Sequence, residues 1–117
     1  MALEELSKDM VEKVYEAVEV AKATGKIRKG TNEATKALEK GTAKLVVIAK
    51  DVSPPEITMH IPLLAEEKNV VCVQVPSKEE LGAAAGIDKG AASIAIVQEG
   101  EAKEVLKEII QKAGKKE

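Results

Sequence analysis

Gly41-Thr42-Ala43-Lys44-Leu45-Val46-Val47-Ile48-Ala49-Lys50-Asp51 decides the fold, because residues 43–49 are apolar at nearly every position and rich in β-branched side chains. A strand wetted on one face alternates apolar and polar residues. This one does not, so it reads as a strand buried on both faces, bounded by Gly41 and a turn at Asp51. Val70 to Val75 and Ser93 to Val97 have the same character. Between and around them lie helical patterns. Leu6, Met10, Val14, Val18 and Ala21 recur at helical spacing in an amphipathic segment that starts near Leu3 and ends at Thr24-Gly25. Ile27 to Gly30 is a short extended piece. Thr31-Asn32 can cap a second helix over about Glu33 to Lys40, stopped by Gly41. Ser53-Pro54-Pro55-Glu56 opens a helix carrying Ile57, Ile61, Leu64 and Ala65, and Ser77-Lys78-Glu79-Glu80 is a capping box for a short helix to about Ala84. From about Glu101 a last helix buries Val105, Leu106, Ile109 and Ile110. Strands alternating with helices predict an α/β fold, a three-layer α-β-α sandwich around a small mixed, largely parallel sheet. The length of 117 residues suits one domain, residues 1–117.

Composition narrows the function. Eighteen Lys and Arg stand against twenty Asp and Glu, a formal charge of -2, which excludes a uniformly basic nucleic-acid coat. The charge is uneven, however. Residues 1–21 carry -4, residues 22–50 carry +6 and residues 51–117 carry -4. The central bases surround a glycine turn and a helix start, where backbone N–H groups and the helix dipole favour anions, so a phosphate-binding edge is expected there. Tyr15 is the sole aromatic residue, which excludes an RNA-binding sheet that stacks bases on exposed rings. The single Cys72, inside an apolar run, reads as a small buried hydrophobe. No apolar stretch approaches the roughly 18–20 residues of a membrane span, and the acidic N-terminal stretch lacks a secretory pattern, so the expectation is a soluble, cytoplasmic protein without a membrane partner.

Within the basic edge, Asn32 and Glu33 have two readings. Asn32 can be a cap and Glu33 a first-turn acid held by the helix dipole. Alternatively they read bases: Asn offers a donor and an acceptor together, and Glu accepts from guanine N–H groups left free outside Watson–Crick pairing. The loop from Leu81 to Gly90 is rich in Gly and Ala but matches neither the phosphate-loop nor the dinucleotide pattern. Its Ile87 is a contact if exposed and core if buried. His60, the only histidine, reads as structural, and Asp51 and Glu56 as helix-start acids. No nucleophile–base pair, metal site or cofactor is expected, and neither is an enzyme.

Arg28-Lys29-Gly30-Thr31-Asn32-Glu33-Ala34-Thr35-Lys36 strongly resembles the archaeal kink-turn-binding large-subunit ribosomal protein family, L-seven-Ae. The likeness continues through Ala43 to Val46, Ala49 to Val52, His60 to Lys68, Ser77-Lys78, Leu81-Gly82 with Gly86, and Glu99-Gly100. This resemblance implies an RNA-binding protein that recognises and stabilises kink-turns with tandem sheared G·A pairs. It also implies service in the large ribosomal subunit, in box C/D and H/ACA guide ribonucleoproteins and in ribonuclease P, beside ribonucleoprotein partner proteins. Carried over by position, Asn32, Glu33 and Lys36 contact the guanines, while Lys29 with the backbone of Gly30 and Thr31 holds phosphates. Ile57, Lys78 and Ile87 line the place of the flipped-out nucleotides, and Asp88 and Lys89 belong to the same RNA-facing loop. The sequence departs from the family in two places: Ser53 stands where several relatives are acidic, and Asp88-Lys89 replaces a pair that is often Ser-Arg or Glu-Val. The alternative from another class is a small-molecule-binding or catalytic α-β-α domain using the Gly82 to Gly90 loop.

Overall fold

Strand β2, Leu45–Ala49, is buried at every position and divides its side chains between two cores. Leu45, Val47 and Ala49 enter the larger core and Val46 and Ile48 the smaller one, as the two-residue period of a strand requires. The computed structural model describes residues 8–51, 60–88 and 90–113. In chain order the elements are α1 (Lys8–Thr24), β1 (Lys26–Lys29), α2 (Thr31–Lys40), β2, α3 (His60–Glu67), β3 (Val71–Val75), α4 (Lys78–Ala84), β4 (Ser93–Gln98), a 3-10 turn (Gly100–Ala102) and α5 (Lys103–Ala113). Helices α1, α4 and α5 cover one face of the sheet through Val14, Val18, Leu81, Leu106 and Ile109. Helices α2 and α3 cover the other through Ala34, Leu38, Ile61 and Ala65. This is the expected three-layer sandwich.

The sheet is mixed, in the order β1-β4-β2-β3, but only the β2/β3 pairing is parallel. Strand β4 enters between β1 and β2 and runs antiparallel to both. The emphasis on parallel pairing is thereby corrected: helices on both faces make the strands continuously apolar whichever way they run, so burial carried no information on direction. Strand β3 is also less buried than its sequence suggests, because it is an edge strand; Val71, Cys72 and Gln74 are half-buried. The predicted start of the third helix at Ser53, with Ile57, lies outside the described residues, as does Lys89. No helix among the described residues is long and apolar enough to cross a membrane.

Chain reversals rest on specific groups. Gly41 ends α2 with φ 75°, its N–H donating to the Leu38 carbonyl. Ser77 caps α4 by accepting from the Glu80 N–H at 3.2 Å, as the capping box predicts. Thr24 serves two ends at once: its hydroxyl donates to the Val20 carbonyl at 2.8 Å and accepts from the Glu101 N–H at 2.8 Å. Burial pushes the Cys72 thiol up to about 12. Since the thiolate is the nucleophile, Cys72 in the native protein is expected to react with a disulfide reagent at pH 8 far more slowly than after denaturation, where the thiol returns to its usual range near 8.5. Equal rates in a thiol-release assay would show Cys72 to be ionised and open in the fold.

Candidate nucleic-acid interface

The strand-to-helix turn at Gly30 builds the first half of the site. Gly30 has φ 99° and ψ 158°, and nothing lies within 4 Å of where a Cβ would stand. Conformation, not space, demands glycine here. Its N–H donates to the Ser93 carbonyl at 2.9 Å and its carbonyl accepts from the Ala34 N–H at 2.9 Å, so the helix begins at Thr31, two residues earlier than expected. No side chain caps α2. Asn32 is therefore not a cap: it stands exposed inside the first turn, and its side chain makes no hydrogen bond among the described residues. Glu33 and Lys36 are exposed on the same helix and pair at 3.9 Å, an interaction worth only a few tenths of a kcal/mol at such exposure. On the opposite side of α2, Ala34, Ala37 and Leu38 are buried and anchor it.

The base of this turn is held by three hydroxyls. The buried Ser93 places its Oγ 3.4 Å from the Thr31 Oγ1. Thr35 donates its hydroxyl to the Thr31 carbonyl at 2.8 Å, and the His60 Nε2 lies 2.9 Å from the Thr35 hydroxyl oxygen. With the Thr35 proton directed at the Thr31 carbonyl, the Thr35 oxygen is left to accept from the ring when Nε2 carries a proton. His60 thus ties α3 to α2 and has the structural role its sequence context suggests.

Strand β4 connects this turn to the second half of the site. The Ala92 carbonyl accepts from the Ala49 N–H at 2.9 Å, and the Ala91 N–H donates to the Lys78 carbonyl at 2.9 Å. The Lys78 N–H in turn donates to the Asp51 Oδ1 at 2.9 Å, so Asp51 is a helix-start acid, as its sequence position suggests. Burial is the main cause that pushes the Tyr15 phenol up, with the Glu80 carboxylate adding to it; its hydroxyl points to the Ser77 carbonyl at 3.4 Å. After α4, Gly86 takes φ 80° and the Ile87 N–H closes on the Gly82 carbonyl at 3.0 Å. Ile87 falls between its two readings: half-buried, it packs against the larger core and still keeps exposed surface. Asp88 is exposed. Lys29, Gly30, Thr31, Asn32, Glu33 and Lys36 on one side, and Lys78, Ile87 and Asp88 on the other, therefore frame the same end of the sheet, where β1, β2 and β3 finish and β4 begins.

The glycines of the 82–90 loop have local causes. Gly82 is buried within α4, Gly86 needs its left-handed conformation, and a Cβ at Gly90 would stand 2.9 Å from the Lys78 Cγ. That removes the reason for reading the loop as a small-molecule cradle. Among the described residues no group of three or more His, Cys, Asp or Glu could hold a metal ion. Sequence reasoning missed Ser93, whose only signal is a hydroxyl at the start of an apolar strand. It also missed how Lys26, Arg28, Lys40 and Lys44 assemble, although all four were inside the +6 segment.

The sequence pattern described as the Ribosomal protein L7Ae/L30e/S12e/Gadd45 family matches residues 12–106. Among solved structures, the chain is similar to the Giardia lamblia 15.5kD RNA binding protein, with 31% sequence identity and a TM-score of 0.89. That likeness covers 94% of this chain and 92% of the other. The family match runs from the middle of α1 into α5 and takes in both halves of the site, so this chain belongs to the L7Ae/L30e/S12e/Gadd45 family of ribosomal and related proteins.

Proposed function

We propose that this protein is an RNA-binding component of ribonucleoproteins that recognises kink-turns through their tandem sheared G·A pairs, and that it acts by binding and not by catalysis. The observation that carries this reading is Asn32: exposed in the first turn of α2, it has no capping duty and no protein partner among the described residues, while Glu33 and Lys36 stand beside it. A sheared G·A pair leaves the guanine Watson–Crick edge free, so its N–H donors meet the Glu33 carboxylate and its O6 accepts from Lys36. Membership of the L7Ae/L30e/S12e/Gadd45 family, and the similarity to a protein described as RNA binding, support the broader half of this reading.

In this reading Lys29 and the backbone of Gly30 and Thr31 hold phosphates, and Lys78, Ile87, Asp88, Ile57 and Lys89 line the unpaired loop nucleotides. The protein binds the bent RNA better than the extended one and so shifts the population toward the bend. The RNAs served are those of the large ribosomal subunit, the box C/D and H/ACA guides and ribonuclease P, in the cytoplasm. A gel-shift comparison tests the proposal: a kink-turn hairpin should bind tightly, and the same RNA with G·C in place of both G·A pairs should bind weakly. Equal affinity for the two would sink it. Lys29→Ala, at the exposed end of β1, should weaken binding to both RNAs alike and make the salt dependence shallower by about one in log-log slope. A selective loss on the kink-turn alone would make Lys29 a base reader.

A further inference from the structure

Ser93 is the only polar or charged residue that is buried among the described residues, with 0% of its surface exposed. It opens β4 ahead of Ile94, Ala95 and Ile96, and the two-residue period of the strand puts its side chain on the face of Ala95, which α2 and α3 cover. We propose that Ser93 is a positioning residue for guanine reading: itself out of reach of RNA, it holds Thr31 and, through Thr31, the aim of Asn32. This rests on the function proposed above.

Stability alone gives no reason for a hydroxyl at this place. An alanine, as at residue 95, would fill the face with no polar group to desolvate, and a buried hydroxyl is unfavourable unless it is bonded. Its partner is the Thr31 Oγ1, and the 3.4 Å between them is long beside the roughly 2.7–2.8 Å of an ordinary O–H···O bond. So long a contact adds little to the fold. What matters is the asymmetry of buried polar groups. If α2 tilts so that Thr31 rises from the sheet, the Ser93 hydroxyl is left with neither partner nor water, and the full desolvation cost falls on the tilted form. The hydroxyl is a one-sided stop on the helix start.

The turn needs such a stop. No side chain caps α2, and the chain enters it through Gly30, at a φ of 99° that a glycine adopts and leaves freely. The Ser93 carbonyl holds the Gly30 N–H at 2.9 Å, so one residue grips two consecutive positions, one by its main chain and the next by its side chain. The Thr35 hydroxyl holds the Thr31 carbonyl at 2.8 Å. Thr31 is thus gripped at its hydroxyl and at its carbonyl, and Asn32 is the next residue. The anchor is stiffer than the piece it anchors, because β4 lies inside the sheet, bonded to β1 on one side and to β2 on the other. Base edges are read by hydrogen bonds of fixed direction, whereas phosphates are met largely by charge, which tolerates a tilt. Loosening the stop therefore removes selectivity and spares general RNA affinity.

The test uses the full chain with Ser93→Ala, Thr31→Val and the double variant. Each is titrated with the kink-turn hairpin and with the control carrying G·C in place of both G·A pairs. If about a tenth of the Ser93→Ala molecules keep Asn32 in the reading direction, kink-turn binding falls about tenfold. Binding to the G·C control should stay within about twofold of the parent, since phosphate contacts carry no sequence information. A merely structural weakening would lower both alike. Thr31→Val removes the other half of the contact and should lose a similar factor. The double variant should lose no more than either single one, and its thermal midpoint should stay close to the parent's, because both partners have become apolar together.

Equal losses on the two RNAs, or parental selectivity in Ser93→Ala, overturn the positioning role and leave the base-reading site standing. So does a double variant that loses the product of the two single losses, because Thr31 then acts on RNA independently of Ser93. Should Ser93→Ala fail to fold, Ser93→Cys takes its place in the same comparison: the thiol is a weak hydrogen-bonding group of similar shape and should show the same selective loss. A parent that binds both RNAs equally overturns the proposed function itself.

Discussion

Gly25→Ala should cost about 3 kcal/mol of stability, the upper range for an overpacked site. A Cβ at Gly25 would overlap the Gln98 carbonyl oxygen and stand 2.8 Å from its carbon and 2.9 Å from the Gly100 nitrogen. All three are backbone atoms, so no side chain can swing away to relieve the contact. Nor can the facing segment retreat: Gly100, at φ 58°, is itself pressed against the Thr24 backbone, and the Thr24 hydroxyl holds the Glu101 N–H from the same side. The α1-to-β1 turn and the β4-to-α5 turn therefore cross at van der Waals distance through two glycines. Urea unfolding should show a lower midpoint at an unchanged m-value. Gly41→Ala is the contrast: its φ of 75° carries strain of about 1–2 kcal/mol, but nothing lies within 4 Å of its Cβ position. If Gly25→Ala proves milder than Gly41→Ala, the crossing is looser than these contacts require.

Much of this architecture was legible in residues 43–49, because burial on both faces of a strand demands a layer of helices on each side. The α2 stop at Gly41 and the α4 start at Ser77 were legible for local reasons, a left-handed glycine and a capping box whose geometry involves only three or four residues. Strand order was not legible: the insertion of β4 between β1 and β2 is a long-range choice, and side-chain burial is indifferent to strand direction. The start of α2 was misplaced because a glycine with φ 99° and a bond to Ser93 substitutes for the side-chain cap that Asn32 could have supplied. That error bears on function, since it is what frees Asn32. The assembly of Lys26, Arg28, Lys40 and Lys44 was hidden for a related reason: the first two meet the last two only after β1 is laid beside β4 and the chain turns back at Gly41.

Glu33 is the residue where structural and functional roles make opposite predictions. If it only complements the dipole of α2 and pairs with Lys36, its removal from a segment of net charge +6 takes away a repulsive charge, and Glu33→Ala should tighten binding to every RNA. If its carboxylate accepts from the guanine edge, the same substitution should weaken kink-turn binding by about 1–3 kcal/mol, roughly fivefold to somewhat over a hundredfold. Binding to the G·C control should meanwhile rise slightly, because the freed Lys36 meets phosphates unopposed. Selectivity then collapses from both sides. Glu33→Gln refines the result: it keeps the size and one acceptor oxygen but puts an NH₂ where the second oxygen faced a donor, so it should lose nearly as much as Ala. The structural cost is small in either case, because Glu33 is exposed and its one ion pair is 3.9 Å long. Equal or tighter kink-turn binding by Glu33→Ala in a titration at fixed salt would remove Glu33 from the base-reading site and leave Asn32 and Lys36 to account for any selectivity.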